Sequence, residues 1–100
     1  MLTEYALDLL RKELKSRIAY AKYTAGGNEY KADAQSREIL ADGRVAVGFV
    51  IGHESGAADV TAVELYDHND KLLARKEEHI VRRDAREGVL YHFRFTIDER

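Results

Sequence analysis

The stretch IAYAKYTAGGNEYKAD, residues Ile18 to Asp33, decides the fold. Before it, apolar residues recur at helical spacing. Within it, they alternate with a period of two, and AGGN interrupts the alternation at residues 25–28. Paired glycines tolerate positive φ, so they suit a tight turn between two antiparallel strands. A helix is therefore followed directly by a β-hairpin, and the chain N-terminal to Ile18 is read differently from the chain after it.

The N-terminal side reads LTEYALDLLRKELKSR. Leu7, Leu10 and Leu14 fall at i, i+3 and i+7, with Ala6, Leu9 and Ile18 flanking the stripe. That pattern predicts a helix over residues 3–17 with a leucine stripe facing the core. Thr3 is a candidate N-cap. Glu4 and Asp8 precede Arg11, Lys12, Lys15 and Arg17, an order that complements the helix dipole. Asp8–Lys12 and Glu13–Arg17 are i,i+4 pairs in the favourable orientation.

On the C-terminal side the period of two continues. Strands are predicted at 18–24, 29–33, 36–40, 44–51, 60–66, 71–81 and 89–97. Asp42-Gly43 is a hairpin signal between SREIL and RVAVGFVI. Val45, Val47, Phe49 and Ile51 share one face, and Gly48 on the other marks a bulge or a close backbone approach. Val89, Tyr91, Phe93, Phe95 and Ile97 alternate against Leu90, His92, Arg94 and Thr96. Short connections favour antiparallel neighbours. The expectation is an α+β single domain, with the N-terminal helix packed on a mainly antiparallel sheet or a small β-sandwich of five to seven strands.

Composition narrows the function classes. The 100 residues contain no cysteine, which excludes disulfides, thiolate metal sites and cysteine nucleophiles. Sixteen basic against eighteen acidic residues give a net charge of -2, which argues against a nucleic-acid partner. No apolar run reaches the roughly 18–20 residues of a membrane helix. Glu4 and Asp8 stand where a signal peptide would need a basic start and a long apolar run, so neither a signal peptide nor a membrane partner is expected.

Each chemical motif has a plainer reading beside it. Asp67, His68, Asn69 and Asp70 place four metal-ligand types in a row. Counted from Asp67, however, a calcium loop would need a ligand at Lys71 and a glycine at Leu72, so a strand turn is expected. His53, Glu54 and Ser55 are triad residue types, but GHESG lacks the G-x-S-x-G spacing, and three consecutive side chains do not converge. The four histidines, His53, His68, His79 and His92, show no local ligand spacing. His79 and His92 are placed to face each other across a strand pair. Arg75, Lys76, Arg82, Arg83 and Arg86 are interleaved with Glu77, Glu78, Asp84 and Glu87, which reads as a mixed-charge solvated face. The charges of ARKEEH also suit a protected edge strand. Tyr20, Tyr23 and Tyr30 fit either sheet packing or an interface. No catalytic, cofactor or metal residue is assigned.

LTEYALDLLRKEL followed by RIAYAKYTAGG, and AVELYDHNDKLLA further on, together resemble the N-terminal module of phage tail-fibre and tail-collar proteins. That module starts with LT, runs a leucine-rich helix, and enters an aromatic strand ending in a glycine turn. The resemblance touches about half the residues. It implies a stand-alone, non-enzymatic structural protein of a phage or prophage tail or baseplate. Such a protein would be made in the host cytoplasm, carried into the particle, and docked to other tail or baseplate subunits or to its own copies. Leu2, Leu7, Tyr20, Tyr23 and Tyr30 are the expected contact residues, and no cofactor is expected. A small metal- or ligand-binding β-rich module around His53 and Asp67 is the alternative.

Overall fold

The computed structural model describes residues 1–52, 59–81 and 88–97. Among these residues one helix, α1 (Glu4–Arg17), precedes seven strands: β1 (Ile18–Ala25), β2 (Asn28–Asp33), β3 (Ser36–Ile39), β4 (Val45–Ile51), β5 (Val60–Asp67), β6 (Leu72–Ile80) and β7 (Val89–Phe95). The strands form two antiparallel sheets, one in the order β2-β1-β5-β6 and one in the order β3-β4-β7. The α+β class holds, and between a single sheet and a sandwich the chain adopts the sandwich.

Three turns work as their residues dictate. Gly26 and Gly27 both take positive φ, 60° and 81°, and close the two-residue loop between Ala25 and Asn28. Asp42-Gly43 turns β3 into β4, with Leu40 N–H donating to Arg44 O and Gly43 N–H to Leu40 O. Asp67–Lys71 joins β5 to β6. The link between β2 and β3 departs from the short-connection rule. Only Ala34 and Gln35 separate these strands, yet they lie in different sheets. Gln35 N–H donates to Gly48 O at 2.7 Å, so the chain turns a corner from one sheet onto the other.

The core lies between the sheets. Ile18, Ala21, Tyr23, Ala25, Val60, Val63 and Leu65 from one sheet meet Val45, Val47, Phe49, Ile51 and Phe93 from the other. β4 and β5 are central strands and are buried almost throughout. β6 is an edge strand, as its charges suggest. Arg37 joins the layers where the helix passes into β1: its Nε donates to Ile18 O at 2.8 Å and its Nη2 to Ala19 O at 3.3 Å. Gly48 marks a close approach rather than a bulge, because a Cβ there would collide with Ser36 Oγ and touch the His92 ring.

Two expectations are corrected. First, the leucine stripe of α1 is not core, since no residue of the helix is buried. The two sheets already cover each other's apolar faces, so the helix lies outside the sandwich against β3. Leu7 and Leu14 are half-buried, and the Arg11 guanidinium packs over the backbone of Gly43. Second, His79 on β6 and His92 on β7 belong to different sheets and do not pair. His79 Nε2 lies 3.0 Å from Asp59 Oδ2, and His92 stands beside Gly48. Thr3 is the N-cap expected of it, accepting from Ala6 N–H, so α1 itself begins at Glu4; β7 stops at Phe95, two residues short of the predicted end.

Candidate functional site

The expected contact residues separate into three environments. Tyr23 faces the core at 1% exposure and accepts the Gly52 N–H through its hydroxyl. Tyr30 stacks on it at 5.4 Å and packs against the same core. These two rings hold the sandwich together and have little surface to offer a partner. Tyr20 lies on the outer face of the four-stranded sheet, also mostly covered, and stacks on Tyr66 at 5.3 Å with the rings nearly parallel. Leu2 and Leu7 are on the N-terminal segment, Leu2 exposed and Leu7 half-buried.

The outer face around Tyr20 is a lattice of side chains engaged with each other. Lys31 Nζ sits 4.2 Å from the Tyr20 ring centre, and Lys22 Nζ 4.8 Å from that of Tyr66. Tyr20 Oη donates to Asp70 Oδ1 at 2.8 Å. That bond to a carboxylate, helped by burial, pushes the Tyr20 phenol up to about 12. Register aligns Lys31, Lys22, Glu64 and Arg75 across the four strands. On the inner side of β6, Tyr91 Oη donates to Glu78 Oε2 at 2.7 Å, and burial followed by this bond raises the Tyr91 phenol.

The Asp-rich turn is structural. Asp67 Oδ1 accepts two backbone N–H groups, from Asn69 at 2.8 Å and Lys71 at 2.9 Å. Asp70 takes φ 60°, a left-handed conformation that Asp tolerates, and its carboxylate holds Tyr20. The Lys71 and Asn69 bonds hold the Asp67 carboxyl below its ordinary range despite partial burial. No group of three metal-ligand side chains occurs among the described residues. A carboxyl whose folded pKa is depressed stabilises the fold above its unfolded pKa, near 3.8, and that stabilisation is lost as pH falls through the folded value. Asp67→Ala is therefore expected to lower the melting temperature at neutral pH. The gap to the unmutated chain should close as melting curves are taken below about pH 3.8. The loop containing His53, Glu54 and Ser55 lies outside the described residues, as do Arg82, Arg83, Asp84, Arg86 and Glu87.

The surface with unused binding capacity is the outward side of α1, where Tyr5 is 74% exposed and Leu9 49%; Leu10, at the edge of the opposite stripe, is 44% exposed. At 100° per residue, Tyr5 and Leu9 fall opposite Leu7, Arg11 and Leu14, which face the sandwich. Glu4, Asp8, Lys12 and Lys15 run along one flank of this apolar strip. Asp8 pairs with Lys12 at 2.9 Å and Glu13 with Arg17 at 2.7 Å, so the helix is well supported locally. Sequence reasoning passed over Tyr5 and treated Leu9 as a flank of the core stripe. The signal was present: apolar residues at 5 and 9 and at 7, 10 and 14 describe two faces, and one sheet can cover only one.

No family model, no curated protein and no solved structure matches the chain.

Proposed function

We propose that this chain is a non-enzymatic assembly protein that works by docking, with the outward side of α1 as its contact surface. One observation carries the docking reading: a 14-residue helix keeps Tyr5, Leu9 and Leu10 in solvent beside a sandwich whose core is complete without them. Exposed aromatic and leucine side chains one turn apart on a helix face, as Tyr5 and Leu9 are here, are the anchors of helix-mediated contacts. The sequence likeness to tail-fibre and tail-collar modules supports the finer assignment, a structural part of a phage or prophage tail or baseplate that docks to neighbouring subunits. Host cytoplasm before assembly and the particle afterwards are the matching locations. No helix among the described residues is long and apolar enough to cross a membrane.

Co-expression with the products of neighbouring phage structural genes tests the proposal. A tagged chain is expected to retain one of them, and Leu9→Lys is expected to abolish retention while leaving the circular dichroism spectrum unchanged. Retention by both forms removes α1 as the contact surface. A gene neighbourhood without phage genes removes the tail assignment.

A further inference from the structure

We infer that the open edge of β2 pairs with the same edge of a second copy, antiparallel about a two-fold axis at Tyr30, so that two four-stranded sheets become one continuous sheet. This surface is separate from the outward side of α1, which lies against β3 of the other sheet.

Four strands end a sheet among the described residues: β2 and β6 in one, β3 and β7 in the other. On β6, Lys76 and Glu78 turn inward, onto the Phe93 ring and the Tyr91 hydroxyl, and inward charges keep an edge from pairing. β3 has only four residues and carries α1 against it. The outward side chains of β7 are Leu90, His92 and Arg94, which offer no negative charge. β2 differs from all three. Tyr30 and Ala32 face the core and carry no charge, while Glu29, Lys31 and Asp33 stand exposed on the outer face with alternating sign. Neither Glu29 nor Lys31 takes part in an ion pair among the described residues.

The Gly26-Gly27 turn decides which backbone groups face outward. A two-residue loop closes on a hydrogen-bonded pair, here Ala25 and Asn28. Bonded and non-bonded pairs alternate along the ladder. Tyr30 and Ala32 therefore direct their N–H and C=O to β1, and Glu29, Lys31 and Asp33 direct theirs to the open edge. The residues with free charges are also those with free backbone groups.

Symmetry and charge then select one arrangement. A two-fold axis perpendicular to the sheet makes the strands antiparallel and keeps outer face beside outer face. An axis along the strands would make them parallel, but it would set the outer face of one copy beside the core face of the other. With the axis at Tyr30, Glu29 lies opposite Lys31 of the second copy, in both directions at once. Each of these pairs exchanges backbone hydrogen bonds and sets opposite charges directly across the strands. Lys31 keeps its place over the Tyr20 ring, since an ammonium has other donors for the carboxylate. Moving the axis to Lys31 sets Lys31 against Lys31 and Glu29 against Asp33, which repel. Moving it to Ala32 sets Glu29 against Gln35, whose N–H is already bonded to Gly48 O where the chain leaves the sheet.

Strands of six residues span about 20 Å, and meeting by one edge they bury less than the roughly 1,200 Å² of a standard stable interface. The dimer is therefore reversible and its population rises with concentration.

Sedimentation velocity from micromolar to millimolar concentration is expected to show monomer giving way to dimer. Over the same range, amide exchange at Glu29 and Lys31 should slow, while that at Tyr30, already bonded to β1, should not change. Lys31→Glu and Glu29→Lys should each weaken the dimer at least tenfold with an unchanged circular dichroism spectrum, because both side chains are exposed. Mixed together, the two variants should associate again, since every facing pair is then of opposite sign. A chain that stays monomeric throughout overturns the inference. So does a mixture of the two variants that fails to associate, or a dimer that forms without slower exchange at Glu29 and Lys31. Leu9→Lys should leave this dimer intact, so its failure is distinct from failure of the α1 docking reading; a dimer lost in Leu9→Lys would place the contact on α1 instead of β2.

Discussion

Phe49→Ala is expected to cost about 3–5 kcal/mol of stability, read as a lower urea midpoint with an unchanged slope. Phe49 is fully buried at the middle of β4, the central strand of the three-stranded sheet. Its ring faces Tyr91 across the β4–β7 register, with centroids 5.4 Å apart at 49°. Truncation removes that aromatic contact and leaves a cavity between two sheets that cannot collapse without moving both. A domain of this size has about 5–15 kcal/mol in total, so one side chain decides a large part of its stability. The melting temperature should fall by about 4–8 °C for each kcal/mol lost. Leu9→Ser is the control. Leu9 lies on the outer side of α1, and its loss should stay within about 1 kcal/mol. If Leu9→Ser were as damaging as Phe49→Ala, the helix would belong to the core after all.

The contrast between these residues also shows what was legible in the sequence. Period alone placed α1 and all seven strands, because Val45-Val47-Phe49-Ile51 and Tyr91-Phe93-Phe95 alternate without interruption. Glycines placed two of the turns, and the Asp and Asn residues of the third read as the strand turn that joins β5 to β6. Which strands share a sheet was not legible. Ala34-Gln35 reads like any short hairpin link, and only its bond to Gly48 O reveals that the chain changes layers there. The helix face was misread for a related reason. A leucine stripe reports that a surface wants cover, not which surface supplies it, and here the second sheet covers the first.

Buried position and side-chain chemistry conflict at Glu64, and this gives the second large expected effect. Glu64 sits on β5, between Lys22 on β1 and Arg75 on β6, and is only 8% exposed. Its Oε2 accepts from Arg75 Nη1 at 2.9 Å and its Oε1 from the Tyr66 hydroxyl at 3.2 Å. Arg75→Met leaves that carboxylate covered with one neutral donor. Losing one partner of a fully buried pair costs about 3–5 kcal/mol, but the Arg75 side chain is 47% exposed, so water screens this one. The expected cost is about 2 kcal/mol by chemical denaturation. Removing the carboxylate as well reverses the sign of the argument. Glu64→Leu with Arg75→Met exchanges the pair for apolar groups beside the Tyr66 ring, and it should recover most of the loss. In a double-mutant cycle the double variant should therefore lose clearly less stability than the sum of the two single losses. A double variant that simply adds the two single losses would mean that Glu64 is held by its strand position rather than by Arg75.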